Sequence, residues 1–152
     1  MSWLELRVPP LLQLVLLGLG MTFAALVLPR TWVLDGSLWL ALLLGISGVF
    51  ICLAGVYSFR RFQTTVDPRY PSRSSALVTA GIYRYSRNPM YLGMLLLLAA
   101  WAVYLERLVS FAALPVFVIY MRRFQILPEE RHMAAQFGND YLQYKNTVRQ
   151  WL

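Results

Sequence analysis

Residues 9–28 and 37–59 carry no charged side chain and are almost wholly apolar. Each reaches the roughly 20 residues that an α-helix needs to cross ~30 Å of hydrocarbon. The first has a basic start at Arg7, but its apolar run exceeds the roughly 7–15 residues of a signal-peptide core, and Pro29-Arg30 follows in place of a small-residue cleavage site, so it reads as a retained helix. A third apolar run, from Pro89 to Met121, is interrupted only by Glu106-Arg107. It predicts two short antiparallel helices, 89–104 and 108–127, the latter carried past Arg122-Arg123 with tilt or local thinning absorbing the mismatch. Hydrophobic residues make up 59% and charged residues 14% of the chain, against about 45–50% and about 25% in soluble domains. The expectation is an all-α integral membrane protein, one domain over 1–152, with about four transmembrane helices and a cytoplasmic C-terminal helical segment at 128–152.

The basic residues set the orientation. Arg60, Arg61, Arg69, Arg73, Arg84 and Arg87 fall in the loop 60–88, and Arg122, Arg123, Arg131, Lys145 and Arg149 follow the fourth helix; the opposite loops hold only Arg30 and Arg107. The excess of positive charge on one side puts both termini and the long loop in the cytoplasm of an inner or plasma membrane, with Trp32 and Trp39 at the far interface. The net charge of +7 flanks the spans instead of forming a separate face, which suits anionic headgroups and not nucleic acid. Cys52, the only cysteine, reads as a packing residue. Gly48 with Cys52, and Gly20 with Ala24, have the spacing that lets helix backbones approach closely. His132 is the only histidine, and no metal site is expected.

Two polar constellations carry the chemistry. In Gly81-Ile82-Tyr83-Arg84-Tyr85-Ser86-Arg87-Asn88-Pro89-Met90-Tyr91-Leu92-Gly93 a basic, aromatic loop turns abruptly into an apolar helix. Asn88 is placed to cap that helix and Pro89 to begin it, leaving Arg87 beside a terminus that favours anions. The second constellation is Pro128-Glu129-Glu130, followed by Phe137-Gly138, Tyr141 and Tyr144. Neighbouring helical residues point about 100° apart, so the two acids cannot aim at one atom and their roles should differ. Pro followed by two acids is also what an ordinary helix start prefers.

Taken together, Leu77-Val78-Thr79-Ala80-Gly81-Ile82-Tyr83, Arg87-Asn88-Pro89-Met90-Tyr91-Leu92-Gly93, a helical hairpin, Glu129-Glu130, and Phe137-Gly138 with Tyr141 and Tyr144 resemble the isoprenylcysteine carboxyl methyltransferase and phospholipid methyltransferase superfamily. The resemblance runs from about Thr64 to the end. It implies a membrane-embedded fold using S-adenosylmethionine, enclosed between the loop, the third and fourth helices and the C-terminal segment. By that resemblance the cofactor-binding positions are Ser75, Ala76, Leu77, Val78, Tyr83, Asn88, Pro89, Met90, Tyr91 and Glu129. Asn88 stands where the family usually has His; it retains a donor and an acceptor but cannot titrate near neutral pH. Gln125 stands where the eukaryotic prenylcysteine enzymes have a substrate-contacting Arg, with Arg122 and Arg123 as neighbouring substitutes. The substitution predicts a less anionic acceptor than a prenylcysteine carboxylate.

The methyl of S-adenosylmethionine is already activated, so aligning the acceptor and excluding water should dominate. Arg87 with the helix N-terminus suits the methionine carboxylate, and Glu129 a ribose hydroxyl or the amine. Arg87, Asn88 and Glu130 are the candidate catalytic residues, Glu130 as an aid to deprotonating an amine or thiol. The acceptor is expected to be a lipophilic or membrane-associated small molecule. Four alternatives stay open: a basic membrane adaptor, a four-helix transporter, a phospholipid N-methyltransferase, and a membrane reductase using NADPH.

Overall fold

The computed structural model describes residues 5–29, 37–62 and 77–152. Ser75, Ala76, Arg30, Trp32, Arg69 and Arg73 lie outside the described residues. The described residues are all helical in their regular structure, which is that of an all-α membrane protein: α1 (Pro10–Val27), α2 (Ser37–Arg61), α3 (Pro89–Leu105), α4 (Ala113–Met121) and α5 (Leu127–Thr147). Three helical stretches are long and apolar enough to cross a membrane, and α3 is a shorter apolar helix. The helix expected at 108–127 does not end before the C-terminal segment. A 3-10 turn (Leu108–Ala112), α4, a π-turn (Arg122–Ile126) and α5 form one column, whose apolar part, up to Leu127, spans and whose polar part continues beyond it.

The densest pairing is α2 on α3, and small residues make it possible. A Cβ on Gly93 would lie 2.5 Å from Cys52 Sγ and 2.6 Å from the Gly48 carbonyl, so only hydrogen fits there. Gly48 and Cys52 thus make the close approach their spacing suggested. Gly20 does not: a Cβ on it would meet nothing within 4 Å, because α1 turns that face outward. Instead α1 contributes Met21 to a core with Tyr91, Leu98, Ala102, Phe117, Met121 and Ile126. On the far side, Arg107 donates to the Leu28 and Ala25 carbonyls at 2.9 and 3.0 Å, closing the C-terminus of α1.

Pro128 explains the π-turn and what docks on it. Its ring crowds the preceding turn, and it lacks the N–H that an α-helix would offer to the Phe124 carbonyl. That carbonyl accepts from Leu6 N at 3.0 Å, so the segment before α1 is held against the column by a bond that the proline leaves open. Gly138 makes a second break. At φ 52° and ψ −125° it adopts a backbone that L side chains avoid, and α5 bends there.

Candidate active site

The loop 77–88, the start of α3 and α5 converge on one end of the helical core. Tyr83, buried in the short 3-10 turn Gly81–Arg84, packs edge-on against Phe59 at 5.3 Å. Tyr91, on the first turn of α3, is buried and donates its hydroxyl to Glu129 Oε1. Tyr83 and Tyr91 both lie close enough to feel the Glu129 charge. Glu129 is half-buried as a residue, with its carboxyl held inward by the Tyr91 hydroxyl. Burial pushes its pKa up to about 8; the Tyr91 hydrogen bond opposes this and Glu130 adds to it. Val78 is buried and Leu77 half-buried at the loop's start.

Glu130 points elsewhere, as the 100° step requires. Its Oε1 accepts from Arg87 Nη2 and its Oε2 from Lys145 Nζ, both at 2.7 Å. Burial alone would raise its pKa, but Lys145 and Arg87 outweigh it and hold the carboxyl below its ordinary value. Both of its oxygens are thus engaged in charge-assisted hydrogen bonds.

Arg87 and Asn88 are likewise engaged. Arg87 Nη1 donates to the Lys145 carbonyl at 2.9 Å and to that of Val148, and Arg87 N donates to the Arg149 carbonyl at 3.0 Å. Of the guanidinium, buried Nε has no partner among the described residues. Asn88 does not cap α3, whose start has no side-chain cap. Its Nδ2 donates to the Gln150 carbonyl at 3.0 Å, and its N–H to Ser86 Oγ at 3.1 Å. Tyr144 adds a bond from its hydroxyl to the Tyr83 carbonyl at 2.8 Å. Pro89 is fully buried, and Met90 is directed at α2, where a Cβ on Gly55 would lie 2.5 Å from its Cγ.

The expected substrate positions divide. Gln125 is 0% exposed and donates from Nε2 to the Val8 carbonyl at 2.6 Å, while its buried Oε1 has no partner among the described residues. Arg123 is no free anchor, because Glu5 bridges Arg123 at 3.3 Å and Arg131 at 2.6 Å. Arg122 is exposed on the column. Sequence reasoning did not single out Glu5, Lys145 or the backbone carbonyls of 148–150 as members of this region. Their partners are far away in the chain, and no local pattern marks them.

A model of the phospholipid methyltransferase family matches residues 37–140, more than half of the chain. Among curated proteins, the chain is similar to an uncharacterized protein of Haemophilus influenzae, 38% identical over 63 residues, covering 41% of this chain and 100% of that protein. It is also similar to protein-S-isoprenylcysteine O-methyltransferase of Schizosaccharomyces pombe, 32% identical over 81 residues, covering 51% of this chain but 33% of the yeast protein. No solved structure matches. The chain belongs to the phospholipid methyltransferase family.

Proposed function

We propose that this family member is a membrane methyltransferase that takes its methyl group from S-adenosylmethionine and delivers it to a lipophilic acceptor at the cytoplasmic interface. The observation that carries the reading is Glu129: a half-buried carboxyl held by Tyr91, beside Tyr83 and the uncapped start of α3. A cofactor with hydroxyl, amine and carboxylate groups fits these residues. Glu129 accepts from hydroxyl or amine donors, Tyr91 fixes the carboxylate's direction, and Leu77, Val78 and Tyr83 wall the apolar part. The Arg87 Nε, unpaired among the described residues, and the α3 N-terminus, which no side chain caps, suit a carboxylate. When bound, S-adenosylmethionine supplies an activated methyl on a sulfonium, so the chain's task is alignment and exclusion of water.

The acceptor follows from the cations. Arg87 and Lys145 share Glu130 as their ion-pair partner, and Arg123 and Arg131 share Glu5, so each acid offsets one of its two cations and engages both. An acidic head group therefore finds no free, buried arginine near Gln125, and an amine, thiol or neutral lipid head group fits better. With Glu130 ion-paired and Asn88 unable to titrate, neither residue acts as a strong base. The basic loop and tail support a cytoplasmic site. Calorimetry on the purified protein with S-adenosylhomocysteine and with NADPH tests the reading. Selective binding of the former is expected, and binding of NADPH alone would replace the methyltransferase by a reductase.

A further inference from the structure

Lys145 and Glu130 are fifteen positions apart on what is nominally one helix. A straight α-helix would separate them by about 22 Å along its axis, far beyond the reach of a lysine. Yet Nζ lies 2.7 Å from Glu130 Oε2. The bend at Gly138 folds the last turns of α5 back over the polar corner, and the same return brings the Tyr144 hydroxyl to Tyr83.

Beyond the helix the chain continues in extended form at Val148 and lies along residues 86–88. Arg87 N meets the Arg149 carbonyl, Asn88 Nδ2 the Gln150 carbonyl, and Trp151 packs on the edge of the core. Residues 139–151 therefore form an arm across the loop that carries Tyr83, Arg87 and Asn88. Its hinge is a backbone conformation reserved for glycine. Its fastening combines carbonyl hydrogen bonds to Arg87 and Asn88 with the buried Tyr141 and Tyr144 and with Trp151; of these contacts the Lys145 ion pair, its lysine 41% exposed, is the one water replaces at smallest cost.

We propose that this arm is a lid hinged at Gly138 and latched by Lys145, and that its opening admits the methyl donor and releases the spent product. The inference rests on the methyl-donor reading above. S-adenosylmethionine carries charges that oppose passage through hydrocarbon, so it must come from the aqueous side, where the arm lies. Glu130 is the fixed half of the latch, held by Arg87 from the loop, while Lys145 is the half that moves. Lys145 is thus a positioning residue, acting on the donor site through the arm.

The test uses the intact chain in lipid nanodiscs, comparing native protein, Lys145→Met and Lys145→Arg. Association and dissociation rates of S-adenosylhomocysteine are read together with amide hydrogen exchange over 139–150. In Lys145→Met both rates should rise about two- to fivefold, the equivalent of losing a partly exposed ion pair. Equilibrium affinity should stay within about twofold, exchange in the arm should quicken while the spans are unchanged, and Lys145→Arg should behave as native. A faster dissociation with an unchanged association rate would make Lys145 a simple support of the bound state and overturn the lid. Unchanged rates alongside quickened exchange would also overturn it, showing an arm that moves without gating. If native protein binds no S-adenosylhomocysteine, the donor reading itself fails and the gating with it, whatever the hydrogen exchange of the arm shows.

Discussion

The α2–α3 seam and the corner beneath the C-terminal arm are both close contacts, made by opposite means. In the seam, Gly48, Cys52 and Gly93 remove side-chain volume until the backbones nearly touch. In the corner, Arg87, Glu130 and Lys145 join segments through charges and carbonyls, beside the buried rings of Tyr83, Tyr141 and Tyr144. A packed seam resists change because any added atom must displace backbone. A polar corner can exchange each contact with water, so it is suited to movement and to holding a polar ligand. The seam is the scaffold, and the chemistry is assigned to the corner.

The sharpest way to break this comparison is to add volume to the seam. Gly93→Val should cost more than about 3 kcal/mol, beyond ordinary overpacking, because the added atoms meet the Gly48 carbonyl as well as Cys52. Gly20→Ala, whose new Cβ would meet nothing within 4 Å, is the control and should leave stability unchanged or raise it by up to about 1 kcal/mol, the helix preference of Ala over Gly. Thermal unfolding in detergent with gel filtration reads both. A native-like melting temperature for Gly93→Val would mean that the helices are not held by this approach.

The next effect belongs to the corner. Above pH 8, where its carboxyl is ionised, Glu129→Ala should weaken S-adenosylhomocysteine about tenfold or more, the loss of ~1.5–3 kcal/mol for a hydrogen bond to a charged group, while the seam keeps the protein folded. The same carboxyl gives a pH signature. With its pKa at about 8 in the folded chain, Glu129 is mostly neutral at pH 7. Ligand donors favour the ionised form, so binding should release a proton. Affinity should therefore rise with pH and level off above about 8, and this rise should vanish in Glu129→Ala. Calorimetry in buffers of different ionisation enthalpy measures the proton release; a flat profile in native protein would remove Glu129 from the donor site.

The smallest expected effect concerns acceptor charge. Placing an arginine at Gln125 would bury a guanidinium in a closed position, so the cleaner probe is Glu5→Gln, which frees Arg123 and Arg131, each about half exposed. Relative methylation of a farnesylcysteine analogue over a lipid amine should rise by a few fold, the scale of an exposed ion pair. No change in that ratio would show that these cations do not face the acceptor.

Much of the seam was legible before any coordinates. Uninterrupted apolar runs at 9–28 and 37–59 identify helices by length alone, and the Gly48-Cys52 spacing picks out a close approach. The different aims of Glu129 and Glu130 also followed from the helical step, and the two side chains indeed go to Tyr91 and to Arg87 with Lys145. The capping role read into Asn88 did not survive, because the arm offers its amide a carbonyl at Gln150. Nor did the close packing read into Gly20, since the spacing of small residues does not say which face of α1 meets a neighbour.

What the sequence determined by itself was what each segment is: which stretches belong in hydrocarbon, which end is basic, and which residues can carry polar chemistry. These follow from composition and helical periodicity, which are local. The tertiary structure alone decided which polar atoms remain available, because that depends on segments distant in sequence. Pro128 leaves a carbonyl that Leu6 takes up, Gly138 folds Lys145 back onto Glu130, and Glu5 reaches Arg123 and Arg131 from the other end of the chain. A charge can be read from one residue, but its partner is fixed only when the backbone bends and brings the two within hydrogen-bond reach.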